Sequence, residues 1–395
     1  MKHVALLALL TTLAAAVAPY PERVWTDELG RATRATLLKV EGQNVVLLLP
    51  DGREAPFRIA KLSKIDQAFI EKFQTDLAEK KPEPPENKAS LEGNFSRPWP
   101  ERVTFEGDPE IKTVSENAEA KEFIYESASY RYTCDVRLSQ TVVKAFAVMF
   151  EATYKFVRDL PLALDGGPRG DEKNQILLFE KESSYIEAGG PPGSGGVFIG
   201  GKNIVMVPLT SLGVRPVGSG YMLDRDKSSE TLPHELAHQL TPYSYFAPGA
   251  RGWFSEGIAE YIANTPYRAG SFNVKSNFAP FVKYVTDYGE KGTGGRALGT
   301  EIELGSLEKY MLIEYSSFTA SNSKINYGCA LLITNYFLHL DRAGDGKQLK
   351  EFLKALRAGK VGQDAIDVLL DGRTYQQMEK EIQKAYSRKG VDLTF

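Results

Sequence analysis

Thr231-Leu232-Pro233-His234-Glu235-Leu236-Ala237-His238-Gln239, followed after a short loop by Trp253-Phe254-Ser255-Glu256-Gly257-Ile258-Ala259-Glu260-Tyr261, is the stretch that decides how this chain folds. On a helix, residues four apart sit one turn above each other on the same face. His234 and His238 can therefore offer two imidazole nitrogens to a single tetrahedral zinc ion. Glu235 then lies beside the metal without binding it, where a carboxylate can take a proton from water. The chain has only four histidines in 395 residues, so this spacing is rare by chance. The bland alternative is a pair of surface histidines on an amphipathic helix, but the flanks favour the metal. Ser228 and Ser229 can cap the helix start, and Pro233 suits a first turn that needs no backbone N–H. Leu232, Leu236 and Leu240 recur every four residues, so one stripe can face a core while the histidines face a cleft.

A catalytic zinc takes three protein ligands and keeps one position for water. The metzincin pattern requires Gly and then His or Asp where this chain has Thr241 and Ser244, which closes that route. Glu256 is the better third ligand. It stands on what reads as a second helix, opened by Ser255, with Glu260 one turn later on the same face. The pair can divide the labour, Glu256 binding the ion and Glu260 accepting the free ring N–H of a ligand histidine. The alternative, that both are solvated surface charges, stays open on sequence alone.

The combination His234-Glu235-Leu236-Ala237-His238 with Gly252-Trp253-Phe254-Ser255-Glu256-Gly257-Ile258-Ala259-Glu260-Tyr261 resembles the gluzincin metallopeptidases, most closely the bacterial peptidase-MA-like group. The resemblance extends more weakly from about Tyr125 to the C-terminus. It implies an α+β, thermolysin-like zincin fold in which His234, His238 and Glu256 bind Zn2+ and Glu235 is the general base. Ser255 stands where thermolysin relatives carry Asn before the ligand glutamate, which bears on substrate backbone recognition. Gluzincins also often use a downstream Tyr or His to donate to the oxyanion. Tyr327, at the start of an apolar helical run from Ile325 to Leu340, is the expected donor, with a packing role as its alternative.

The N-terminus reads differently. Met1-Lys2-His3 and the apolar run Val4 to Val17 form an expected secretory signal over residues 1–18, too short for a comfortable membrane span. The product is then exported, periplasmic or extracellular, with an uncleaved anchor as the alternative. Three short apolar runs, Ala35 to Val40, Val45 to Leu49 and Ala55 to Ile59, are separated by turn residues and predict a β meander. The segment from Arg23-Val24-Trp25 to Asp66-Gln67 resembles the first homology domain of the yeast endocytic adaptor Sla-one. That resemblance implies a small SH3-like β-barrel over residues 20–75, a binding module for a protein or cell-envelope ligand without catalytic residues, with the alternative that it merely packs on the domain that follows. Residues 76–117, with Lys80-Lys81-Pro82-Glu83-Pro84-Pro85-Glu86, read as a proline-rich linker, and Trp99 is a candidate anchor onto the domain that follows.

Residues 118–395 are the expected peptidase-like domain. Tyr130, Tyr132 and Cys134 suggest a strand, and Val143, Phe146, Ala147, Phe150, Tyr154 and Val157 fall at helical spacing over Gln140 to Leu160. Gly189-Gly190-Pro191-Pro192-Gly193-Ser194-Gly195-Gly196 lacks the Lys-Ser/Thr and the helix start of a phosphate loop. It reads instead as a hairpin at the sheet edge. The gluzincin resemblance implies that such an edge lies above the zinc and pairs with an extended substrate, so Gly196 to Phe198 are expected to line the cleft, with an ordinary flexible hairpin as the alternative. Further helices around Ala279 to Tyr288, Leu307 to Tyr315, Leu349 to Leu356 and Tyr375 to Tyr386 predict a helical C-terminal subdomain. His339, at a helix end, is expected to interact with the helix dipole or to cap carbonyls rather than to bind metal.

Composition excludes other classes. A net charge of -3, from 48 basic and 51 acidic residues, leaves no overall basic footprint for nucleic acid. No second long apolar run predicts a membrane span in the mature chain. Two cysteines, Cys134 and Cys329, do not make a disulfide scaffold, and whether they pair is open. The expected function is a zinc-dependent peptidase acting on a peptide or protein. Its competitors are a catalytically silent zinc-bearing binding protein and a zinc amidase acting on a cell-wall linkage.

Overall fold

The computed structural model describes residues 23–28, 31–49, 53–63, 66–67, 70, 88–168, 170–224, 231–287, 295–320 and 322–395. The expected signal segment and the serines expected to cap the histidine helix lie outside them. The chain divides into two units, Met1–Glu86 and Asn87–Phe395.

In the first unit, β1 (Arg23–Thr26), β2 (Ala32–Glu41), β3 (Asn44–Leu48) and β4 (Glu54–Arg58) form an antiparallel meander in sequence order. Trp25, Leu37, Val45, Leu47 and Leu62 make its small core, and the Trp25 indole N–H donates to the Ala35 carbonyl at 2.9 Å. The expected barrel is not closed among the described residues. β1 and β4 each pair with one neighbour, and the chain returns to β1 only through a single bridge between Asp27 and Leu62. A short 3-10 turn at Ile59–Lys61 intervenes before that bridge, so no ladder forms across the opening.

The second unit begins earlier than the sequence suggests. Inside the stretch read as a linker lie α1 (Lys88–Phe95), β5 (Arg102–Thr104) and β6 (Lys112–Asn117). Trp99 anchors this segment as expected, donating to the Asp345 carbonyl at 3.1 Å. The strand expected at Tyr130, Tyr132 and Cys134 is β8 (Tyr130–Cys134), the second arm of a hairpin with β7 (Glu122–Glu126). With β9 (Asn174–Phe179), β10 (Val197–Ile199) and β11 (Ile204–Pro208) they complete a six-stranded sheet ordered β10-β11-β9-β8-β7-β6. β8, β9 and β11 are parallel, and β10 is antiparallel to β11 at the edge.

The helix α2 (Gln140–Asp159) packs its apolar stripe against this sheet. Its cap is Ser139, whose hydroxyl accepts from the Val142 N–H, and Phe146 and Phe150 meet Tyr132 edge to face. The same core takes in Leu232 and Leu236 of α4 (Thr231–Leu240), counted after the short α3 (Glu182–Glu187). A second core is helical. At its centre is α5 (Trp253–Asn264), buried along its length from Trp253 to Ile262 and packed against α9 (Ser323–His339). Gly257 permits that approach, because a methyl there would run into the Thr334 hydroxyl and the Ala330 carbonyl. Between α5 and α9 run α6 (Phe278–Thr286), α7 (Leu307–Met311) and α8 (Tyr315–Ala320). Beyond them α10 (Lys347–Arg357), α11 (Gly362–Leu370) and α12 (Tyr375–Ser387) complete the expected helical subdomain. The unit is thus α+β, with the sheet first and helices later. No helix among the described residues is long and apolar enough to cross a membrane. Cys134 and Cys329 are both buried and unpaired, one in each core.

Candidate metal centre

Two helices converge on three donor atoms. Nε2 of His234 and Nε2 of His238, one turn apart on α4, are 3.1 Å from each other. Glu256 Oε2, delivered by α5, is 3.3 Å from each. The corners of a tetrahedron around an ion with bonds of about 2.0–2.1 Å are roughly 3.3 Å apart, so the triangle fits one face of a tetrahedral zinc site. Among the described residues these three form the one group of His, Cys, Asp and Glu side chains close enough to hold an ion. Glu256 Oε2 is buried and receives no hydrogen bond. An orphaned carboxylate oxygen is costly unless a cation meets it. The fold therefore brings together the predicted ligands His234, His238 and Glu256.

The helix carrying Glu256 starts earlier than expected. Trp253 is its first residue, and Ser255 does not open it. The Ser255 hydroxyl instead reaches back to accept the Gly252 N–H at 3.0 Å, satisfying a donor that the helix leaves free. On the other helix, burial of Leu232, Leu236 and Leu240 fixes the rotation that turns both histidines to α5.

Glu260 takes the supporting place foreseen for it. Its Oε1 lies 3.4 Å from His234 Nδ1, which sets the ring with Nε2 toward the triangle. Arg296 reaches the same oxygen at 2.6 Å. Its guanidinium also lies over the rings of Tyr327 at 4.9 Å and Tyr284 at 5.5 Å. Burial disfavours charge on Glu260, but His234 and then Arg296 outweigh it and hold the carboxyl below its ordinary range. Burial likewise opposes charge on Glu256 and His234. The two imidazoles nevertheless pull Glu256 well down, and Glu256 and Glu260 push His234 well up. Two buried carboxylates, Glu256 and Glu260, and the half-buried Glu235 thus surround the two imidazoles, a set of oxygens that would welcome a divalent cation.

Glu235 is raised by burial, with the two imidazoles and a backbone N–H acting against that rise. The N–H is that of Phe198, which donates to Glu235 Oε2 at 2.7 Å. β10 therefore lies directly over Glu235, as the glycine-rich approach to an edge strand predicts, and the Phe198 ring stacks beside His238 at 6.3 Å. Tyr327 also reaches the site, its ring 6.3 Å from that of His234. Burial, with Glu256 and Glu260 nearby, keeps its phenol protonated far beyond neutral pH.

Two residues here carry no sequence signal. Tyr315, at the first position of α8, donates to Glu256 Oε1 at 2.9 Å and so occupies the oxygen that does not face the histidines. Arg296 arrives on a loop that docks back on α6, its N–H donating to the Tyr284 carbonyl at 2.7 Å. His339 is not among the three converging donors. Its Nε2 meets the Tyr261 hydroxyl at 2.8 Å, and burial pushes the imidazole down to about 4. No family model matches the chain, and no curated protein is similar to it at a meaningful level.

Proposed function

We propose that the chain is an exported zinc-dependent peptidase of gluzincin type, close to the peptidase-MA-like group, with a thermolysin-like arrangement in its second unit. The observation that carries this reading is the triangle of His234 Nε2, His238 Nε2 and Glu256 Oε2, with sides of 3.1, 3.3 and 3.3 Å and the edge strand β10 lying beside Glu235. His234, His238 and Glu256 would hold the zinc. When bound, such an ion polarises a carbonyl and lowers the pKa of water to about 7.

The protein's own groups supply the proton chemistry. Glu235 accepts a proton from the water that attacks the scissile carbonyl carbon, then delivers it to the amide nitrogen as the C–N bond breaks. The Tyr327 phenol, kept protonated, donates to the oxyanion that develops on that carbonyl. Glu260 and Tyr315 hold His234 and Glu256 in place from behind. Three protein ligands leave a position for substrate, which favours an enzyme over a silent zinc protein with a fourth ligand. The first unit, with its Sla-one-like sequence, serves in this proposal as an attachment module.

The test is cleavage of a peptide library by the zinc-loaded protein and by Glu235→Gln. The variant should retain zinc and lose turnover by roughly a thousandfold, the scale of a missing general base. Equal cleavage by both would reject the mechanism.

A further inference from the structure

Phe198 is where the edge strand meets the proposed base. In an antiparallel pair, alternate residues turn their N–H and C=O away from the partner strand. Phe198, opposite Val205 of β11, sends its N–H outward to Glu235 Oε2 at 2.7 Å. β10 is the outermost strand of the sheet, so this N–H is one that an added strand would need. Gly196 precedes this contact: a Cβ there would press on the Met206 carbonyl oxygen of β11 at 3.2 Å and would lie in ordinary contact, 3.6 Å, with Glu235 Cγ. One N–H cannot serve two acceptors well.

We propose that the outward edge of β10 gates Glu235, the Phe198 N–H holding the carboxylate until an extended peptide pairs with the strand, takes that N–H and frees the base. This rests on the peptidase reading and narrows its substrate class. The preferred substrate is an unfolded segment long enough to pair along β10. A short amide, unable to compete for the Phe198 N–H, meets a base that stays engaged. Phe198 is here a positioning residue, acting through Glu235.

The experiment uses the zinc-loaded full chain and two substrates with the same scissile bond, a fluorogenic decapeptide and a blocked dipeptide amide. Phe198→Pro removes the donor, and because the N–H points away from β11 it leaves the ladder intact, as edge strands allow. A hydrogen bond to a carboxylate corresponds to roughly ten- to hundredfold. In the wild type the decapeptide should exceed the dipeptide in kcat/KM by about a hundredfold or more. In Phe198→Pro that ratio should fall at least about tenfold, with the dipeptide rate rising. An unchanged ratio, or equal losses on both substrates, would overturn the gate. Amide exchange at Phe198 gives a readout independent of turnover and of the proline variant: it should be slow in the wild type and at least about tenfold faster in Glu235→Ala. Unchanged exchange would sink the gate alone, whereas no cleavage of either substrate by the wild type would sink the peptidase reading and the gate together.

Discussion

Replacing Arg296 by Met removes the guanidinium from a carboxylate that has almost no contact with water. Glu260 is 2% exposed, and its Oε1 is held by Arg296 at 2.6 Å and faces His234 Nδ1 at 3.4 Å. Breaking one partner out of a buried ion pair costs about 3–5 kcal/mol. The Arg296 side chain keeps 24% of its surface exposed, so solvent already screens part of the interaction, and about 2–3 kcal/mol is the better expectation. Met retains a stem to pack against Tyr284 and Tyr327, which isolates the charge. Because Glu260 orients His234, zinc affinity should fall as well, by roughly ten- to hundredfold. The assay is a double-mutant cycle of Arg296→Met with Glu260→Gln, read by urea unfolding of the zinc-loaded protein and by competition for zinc with a chelator. The two losses should be non-additive, with a coupling of about 1.5–2 kcal/mol. Additivity to within about 0.5 kcal/mol would show that the pair does not act as a unit and would refute its role behind the ligand.

Gly257→Ala should destabilise the protein by about 3 kcal/mol, since the added methyl meets the Ala330 backbone of α9 as well as the Thr334 hydroxyl; a urea midpoint unchanged from wild type would contradict the close packing. His339 predicts an acid loss of stability. Its imidazole titrates near 4 when folded and near 6.5 when unfolded, so between these values the unfolded chain binds more protons. The stability is fully present above about pH 6.5 and falls with pH, by about 3 kcal/mol on reaching pH 4. His339→Gln should flatten that part of the stability profile, and an identical slope in the variant would count against the assignment.

What the sequence made legible is what local spacing dictates. His234 and His238 are one turn apart, Glu256 and Glu260 are one turn apart, and each pair sits on a helix whose buried face is set by its apolar residues. The edge strand was legible too, because a glycine-rich approach followed by Val197-Phe198-Ile199 has few other uses. Contacts made by packing left no such trace. Tyr315 is one of nineteen tyrosines and reaches Glu256 only because α8 folds across the site. Arg296 is placed by backbone hydrogen bonds to α6 rather than by any pattern of its own. Residues 88–117 read as a spacer because β6 is an edge strand with alternately exposed polar residues and lacks the apolar run of a central strand. Alternation within the strands of the first unit does not say whether the first and last of them pair, and among the described residues they do not. The surroundings of His339 left no trace either, because Trp99 and Tyr261, which pack around it, come from distant segments.

The most direct test of the account is the metal itself. Zinc analysis and edge-absorption spectroscopy on the purified full chain should find one zinc per chain bound by two imidazole nitrogens and a carboxylate oxygen, and Glu256→Ala should weaken that binding while leaving the fold intact. Failure to take up zinc, or uptake indifferent to the loss of Glu256, would contradict a centre built by α4 and α5 together.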